Sequence, residues 1–143
     1  MKKTFFLTFV MMFIGLSVSA QDIALTKEQL PKGIQTFISK NFSDKVFRSA
    51  KLDKELLNQK YEVKFEDGTE VDFDKNSRMI QAECKTGLPS SIVSKEIQDY
   101  VTKNYGINYI VEWELKTGNR QEIKLDNKIE MIFNDKGQFL RLD

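Results

Sequence analysis

Histidine is absent from this chain of 143 residues, and cysteine occurs once. The first absence removes histidine-based zinc sites, Ser-His-Asp and Cys-His nucleophile systems, and imidazole proton relays. The second removes any disulfide within the chain and leaves Cys84 as a small hydrophobe near a strand end, a reactive thiol, or a partner for another chain. Gly-rich phosphate loops, cysteine pairs and nucleophile elbows are also missing. So is an excess of either charge: 22 basic residues meet 21 acidic ones. A basic footprint of the kind that binds nucleic acid is therefore lacking.

Long apolar runs are scarce too, and the one present stands at the start. Lys2 and Lys3 precede an uncharged stretch from Phe5 to Val18, and Val18-Ser19-Ala20 offers small residues for cleavage. The run is shorter than the roughly 20 residues a membrane span needs, so residues 1–20 are predicted to be a secretory signal peptide. The expected location is periplasmic or secreted, with membrane contact only through the cleaved leader. Taking 20 residues from 143 leaves 123, with 20 basic and 21 acidic side chains. That length suits one compact domain over 21–143.

What the chain does contain, it contains twice. Leu30-Pro31 and Ile34-Gln-Thr-Phe-Ile-Ser-Lys-Asn-Phe42 return as Leu88-Pro89 and Ile97-Gln-Asp-Tyr-Val-Thr-Lys-Asn-Tyr105. Glu62-Val-Lys-Phe65 returns as Glu122-Ile-Lys-Leu125. Such self-similarity marks a repeated supersecondary unit, here over 21–87 and 88–143. Ile34, Phe37, Ile38 and Phe42 form one helical stripe, as do Ile97, Tyr100, Val101 and Tyr105. Thr26 and Gln29 have capping-box spacing and Ser94 suits an N-cap, so a helix-turn-helix entry to each repeat is expected. After each helix the period falls to two. Val46, Ala50 and Leu52 alternate in one half; Ile107, Tyr109, Val111, Trp113 and Leu115 alternate in the other. The fold class is α+β: two tandem helix(-helix)-plus-four-strand repeats forming one antiparallel sheet of about eight strands, with helices on one face.

Side-chain parity sets one hairpin. A three-residue loop, Glu66-Asp67-Gly68, pairs Val63 with Val71 and Tyr61 with Phe73, with Gly68 in the left-handed position. It also places Lys64 opposite Glu70, and Lys124 opposite Glu130, on the solvent face. Lys128 takes the place of Gly68 in the second half, so a looser or different turn is expected there.

Candidate sites follow from the same parity. The exposed sheet face should carry Phe47, Ile110 and Ile132 as apolar anchors among the charges Glu62, Lys64 and Asp72, a surface for a partner. Glu62 and Asp72 should face each other as solvated acids. Asp72, Asp74, Asn76 and Glu83 have the ligand spacing of a calcium loop, but Ser77 stands where that loop wants Gly, and the segment reads as strand and hairpin. No catalytic residue and no cofactor is indicated.

Leu-Pro followed by the helix ending in Lys-Asn-Phe, the run Tyr61-Glu-Val-Lys-Phe-Glu-Asp-Gly-Thr-Glu-Val-Asp-Phe-Asp74, then Gly87-Leu-Pro-Ser-Ser-Ile92, Tyr100-Val101 and Asn104-Tyr105 resemble the PepSY-like secreted proteins of the Bacteroides group. The resemblance covers about residues 25–143. It implies a fold similar to the beta-lactamase inhibitor protein, with tandem units making one curved antiparallel sheet. It also implies peptidase inhibition or regulation at the cell envelope, without catalytic residues. The expected function is a non-catalytic module that binds another envelope or extracellular protein, as an inhibitor or regulator of an extracytoplasmic enzyme such as a peptidase. The alternative is an envelope protein that binds a small ligand or a cation such as calcium.

Overall fold

A computed structural model describes residues 21–55 and 58–143. The expected signal peptide, 1–20, lies outside the described residues.

Among the described residues nine strands form one antiparallel sheet in which each strand pairs with its neighbours in sequence. They are β1 (Gln21–Leu25), β2 (Phe47–Glu55), β3 (Asn58–Phe65), β4 (Glu70–Asp74), β5 (Met79–Glu83), β6 (Ile110–Lys116), β7 (Arg120–Leu125), β8 (Glu130–Phe133) and β9 (Phe139–Leu142). Helix α1 (Lys32–Asn41) lies between β1 and β2, and α2 (Lys95–Tyr105) between β5 and β6. The expected count of about eight strands misses β1. Its residues, Gln21 to Leu25, precede the expected helix-turn-helix entry, and in that entry only a short 3-10 turn at Lys27–Gln29 is helical ahead of α1, with the Thr26 N–H donating to Gln29 Oε1 at 2.8 Å.

Both helices bury the stripe that periodicity marks. Ile34 and Ile38 of α1 pack with Phe42, Val63, Val71 and Phe73; Ile97 and Val101 of α2 pack with Trp113, Ile123, Met131 and Phe133. Met79, Leu88 and Ile92 touch both groups, so the interior is continuous. Burying a large apolar side chain is worth about 1.5–3 kcal/mol, and these residues supply much of the driving force. Trp113 Nε1–H donates to Gln121 Oε1 at 3.0 Å, which satisfies the one polar atom of that ring.

The repeated helix motif has a structural cause at each polar position. Gln35 Nε2 donates to the carbonyls of Glu28 and Leu30, and Gln98 Nε2 to those of Ser90 and Val93, tying each helix to the chain before it. Asn41 Nδ2 donates to the Phe37 carbonyl at 2.9 Å and Asn104 Nδ2 to that of Tyr100 at 2.8 Å, filling orphan acceptors in the last turn. These bonds also correct the alignment of the halves. Leu30-Pro31 corresponds to Val93-Ser94, both pairs leading directly into a helix. Leu88-Pro89 lies further upstream.

The strand registers around the first hairpin are as parity predicts: Val63 pairs with Val71, Tyr61 with Phe73, and Lys64 with Glu70. Gly68 has φ +84°. The second hairpin, expected to differ, is the same turn. Lys128 adopts φ 70°, and its N–H donates to the Leu125 carbonyl at 2.9 Å, as Gly68 N–H does to Phe65 at 3.0 Å.

Parity fails at four bulges. Register shifts leave Arg48 as an extra residue on β2 and Val111 on β6, and likewise Ile80 on β5 and Leu140 on β9. A one-residue slip sends every side chain beyond it to the other face. Phe47 therefore pairs with Phe65 and packs against the core, and Ile110 is buried in the core opposite Leu125. Neither is on the outer face. Upstream of the second bulge, Ile107 is 98% exposed and Tyr109 45% exposed, where alternation had put them inside.

Candidate functional site: the uncovered sheet face

The face opposite the helices is a lattice of charge. Reading across it, Lys51 lies opposite Glu62, Glu62 opposite Asp72 and Asp72 opposite Gln81. Beyond the middle of the sheet, Glu114 lies opposite Glu122 and Glu122 opposite Ile132. Lysines knit the first half together. Glu62 carboxylate oxygens are 3.1 Å from Lys51 Nζ and 3.6 Å from both Lys60 and Lys64; Asp72 Oδ2 is 3.1 Å from Lys60 Nζ; Glu70 is 3.0 Å from Lys64. In the second half Lys116 spans Glu114 and Glu122, and Lys124 meets Glu130 at 2.6 Å.

Glu62 and Asp72 are not the solvated pair that exposure rules predict. They are only 7% and 4% exposed, with Lys51 of β2 and Lys60 and Lys64 of β3 lying over Glu62, and Lys60 lying over Asp72. Their chemistry diverges. Burial opposes ionisation of Glu62, but Lys51, Lys60 and Lys64 outweigh it and hold its carboxyl below the ordinary value. Burial raises the Asp72 carboxyl, Lys60 offsets only part of that, and the negative charges of Glu62 and Glu70 add to it. Asp72 Oδ1 is buried without a hydrogen-bond partner.

The seam where β5 meets β6 is different again. Glu70 is opposite Glu83, and Glu83 opposite Glu112, so three carboxylates stand in one row. Among the described residues no lysine or arginine forms an ion pair with Glu83 or Glu112; Gln81 Nε2 donates to Glu112 Oε1 at 3.3 Å. Burial pushes the Glu112 carboxyl up, and although Lys124 works against this, Glu83 and Glu114 reinforce it.

Of the residues the sequence singled out, Glu62, Lys64, Asp72 and Ile132 share this face. Ile132 is 4% exposed, so it is covered by its neighbours rather than offered to solvent. The calcium-loop reading does not survive the backbone. Asp74 to Arg78 is a tight turn in which Asp74 Oδ1 accepts the N–H groups of Asn76 and Arg78 at 2.9 Å each. That oxygen is committed to the turn, no helices flank it, and Glu83 lies on the far end of the next strand. The carboxylates that do converge are Glu62, Glu70 and Asp72, each with an oxygen within 4.8 Å of the others; Glu122, Glu130 and Asp143 form a second such group. Glu70 escaped notice as a member, although the hairpin register already placed it beside Lys64 on the same face.

Elsewhere, Cys84 is buried beside Thr86, its Sγ 3.4 Å from the hydroxyl. An open groove of about 190 Å³ between α2 and the sheet is lined by Leu88, Val93, Gln98, Val101, Tyr109 and Ile110. No helix among the described residues is long and apolar enough to cross a membrane.

Oxygen-only donor sets of this kind suit hard cations or cationic side chains. No curated protein matches the chain. Solved structures do. A protein from Bacteroides thetaiotaomicron, described as a "putative calcium-regulated periplasmic protein", is 33% identical, with 85% of this chain and 96% of that one covered at a TM-score of 0.81. Two structures from Bacteroides vulgatus, described as putative periplasmic proteins, are each 28% identical. One covers 87% of this chain and 98% of its own at TM-score 0.80, the other 86% and 99% at 0.79. The family model described as "Putative beta-lactamase-inhibitor-like, PepSY-like" matches residues 59–141. With a matching run from β3 to β9 and a shared architecture, the chain belongs to this PepSY-like family.

Proposed function

We propose that this protein is a non-catalytic binding module of the periplasm, exported by a signal peptide at 1–20, that docks another envelope or extracellular protein on its uncovered sheet face. Its sharpest form is an inhibitor or regulator of an extracytoplasmic enzyme such as a peptidase. The observation that carries the reading is the acidic row Glu70–Glu83–Glu112 on a sheet whose other face packs against the helices. Like charges directly opposite each other destabilise a sheet, and a partner presenting lysine or arginine would relieve them. Glu62, Lys64 and Asp72 border that row and Ile132 lies two strands beyond it; Phe47 and Ile110 belong to the core and not to the docking surface. We read the chain as two copies of one α-β-β-β-β unit, 21–87 and 88–143, sharing one interior, with β1 added ahead of the first.

The test is site-specific photo-crosslinking in envelope extract. A crosslinker at Glu83 should capture a saturable partner that one at Lys40, on α1, does not. Capture from neither position, or equally from both, counts against docking on this face.

A second reading, a cation-binding envelope protein, is favoured by one observation: the relative at 33% identity is described as calcium-regulated.

A further inference from the structure

We propose that Glu62, Glu70 and Asp72 form a binding site for one divalent cation of the calcium class, anchored by Asp72. This rests on the second reading above and gives it a location.

The geometry suits the ion. Each of the three carboxylates places an oxygen within 4.8 Å of the other two. Calcium holds oxygens at about 2.3–2.6 Å and tolerates irregular arrangements, whereas magnesium demands a near-ideal octahedron. Three side chains on two adjacent strands, with Glu62 directly opposite Asp72 and Glu70 two residues from it, converge without any backbone movement.

Asp72 is the unusual member. It is 4% exposed, and its Oδ1 has no hydrogen-bond partner. A buried carboxylate oxygen without a partner is costly. The fold does not require it. At the corresponding place in the second half, opposite Glu122 as Asp72 is opposite Glu62, the chain has Ile132, also 4% exposed. An apolar side chain thus satisfies the packing of this position, and exchanging a buried charge for an apolar residue is often neutral or stabilising. The first half keeps an acid where its counterpart keeps a hydrophobe, and cation ligation accounts for the difference.

Lys51, Lys60 and Lys64 supply the balancing charge in the structure, and their side chains are 36–46% exposed, free to swing outward. Calcium and lysine therefore compete for the same oxygens. Lys60, bound to both Glu62 and Asp72, is the principal competitor.

The experiment is titration of the purified protein with calcium chloride, with magnesium chloride in parallel, read by thermal unfolding and by calorimetry. Calcium should raise the Tm saturably, as a ligand selective for the native state does, with one ion per chain at this site. Asp72→Ile, which installs the residue of the other half, should lose that shift while keeping or raising the Tm without calcium. Lys60→Met should bind calcium more tightly than the native chain. Glu70→Gln provides the same loss of shift should Asp72→Ile fail to fold. Absence of any calcium response in the native protein overturns both the site and the cation reading. A response undiminished in Asp72→Ile and Glu70→Gln overturns this site and leaves the cation reading to another location.

Discussion

Gly33 on α1 and Ser77 in the β4–β5 turn meet so closely that a Cβ on Gly33 would lie 2.9 Å from the Ser77 Cβ. The second half makes the same approach with the small residue on the other side. Its turn carries Gly137, and a Cβ there would lie 2.9 Å from Ser94 Oγ and 3.0 Å from the Glu96 Cβ. Gly33 corresponds to Glu96, and Ser77 to Gly137. Each helix–turn contact has room for one side chain, and the halves divide that room in opposite ways. Gly33→Ala should therefore destabilise by about 1–3 kcal/mol through overpacking, although Ala is the better helix former by roughly 1 kcal/mol. Ser77→Gly also relieves a left-handed φ of 65°, so the double variant Gly33→Ala/Ser77→Gly should be at least as stable as the native chain. Urea denaturation of the four-member cycle checks this; additivity of the two changes would refute the shared contact.

Lys128 pays a backbone cost that Gly68 avoids, since the two hairpins are the same turn with φ 70° and +84°. A left-handed conformation costs an ordinary residue about 1–2 kcal/mol, partly offset by the greater freedom of glycine in the unfolded chain. Lys128→Gly should stabilise by about 0.5–1 kcal/mol. Gly68→Lys should lose a similar amount through the backbone alone, because nothing lies within 4 Å of a Cβ at that position. Thermal unfolding of both variants tests the pair, and equal Tm values across all three chains would contradict it.

These contacts show where the sequence was legible. Period-two alternation and the turn at Gly68 placed β3 against β4 residue by residue, because one face must be apolar and the loop has few closures. The bulge at Val111 was hidden for a physical reason, since it adds one apolar residue to the strand and leaves no polar gap, whereas the bulge at Arg48 showed as a charge interrupting the alternation of Val46, Ala50 and Leu52. Ile110-Val111 is apolar at both positions, so alternation fits either register, and Ile110 went to the wrong face. β1 was obscured because Gln21 to Leu25 is short, mostly exposed and followed by capping-box residues that read as helix. The burial of Glu62 and Asp72 could not be read from their own positions, since it accompanies lysines reaching over them along β3 and from the adjacent strand.

Acid should unfold this protein partly through Asp67. Its Oδ2 accepts from Lys45 Nζ at 2.6 Å and its Oδ1 from the Thr69 N–H at 3.0 Å. The Lys45 hydrogen bond, working against slight burial and helped by Thr69, lowers its pKa from 3.8 to about 2. The folded chain thus holds this proton less tightly than the unfolded one. The resulting stability is fully present above the unfolded pKa and is lost as pH falls through about 2. Asp67→Asn should flatten that part of the acid limb. At neutral pH it should cost only about 1 kcal/mol or less, because the carboxylate is 44% exposed and screened. Asp72 has the opposite sign. Its raised pKa favours the protonated folded state, so its contribution falls as pH rises from the ordinary carboxylate value through the folded one. Asp72→Ile should therefore gain most at neutral pH and little in acid. Denaturation curves of both variants at stepped pH separate the two effects; parallel pH profiles would contradict these assignments.

The row Glu70–Glu83–Glu112 sets stability against binding at one position. Glu83 lies directly between two carboxylates and is exposed. Glu83→Lys turns two repulsive cross-strand neighbours into attractive ones, each worth about 0.2–1 kcal/mol. The variant should melt higher than the native chain, with the gap narrowing as salt screens the row. The Glu112 carboxyl, raised first by burial and further by Glu83 and Glu114, should titrate lower in the variant, a change visible by side-chain NMR. A lower Tm at low salt would show that the row is not strained. If the proposed partner docks there through basic side chains, the same substitution weakens its capture while strengthening the fold. A residue kept at a cost to stability, whose removal costs binding, is one the fold does not need for itself.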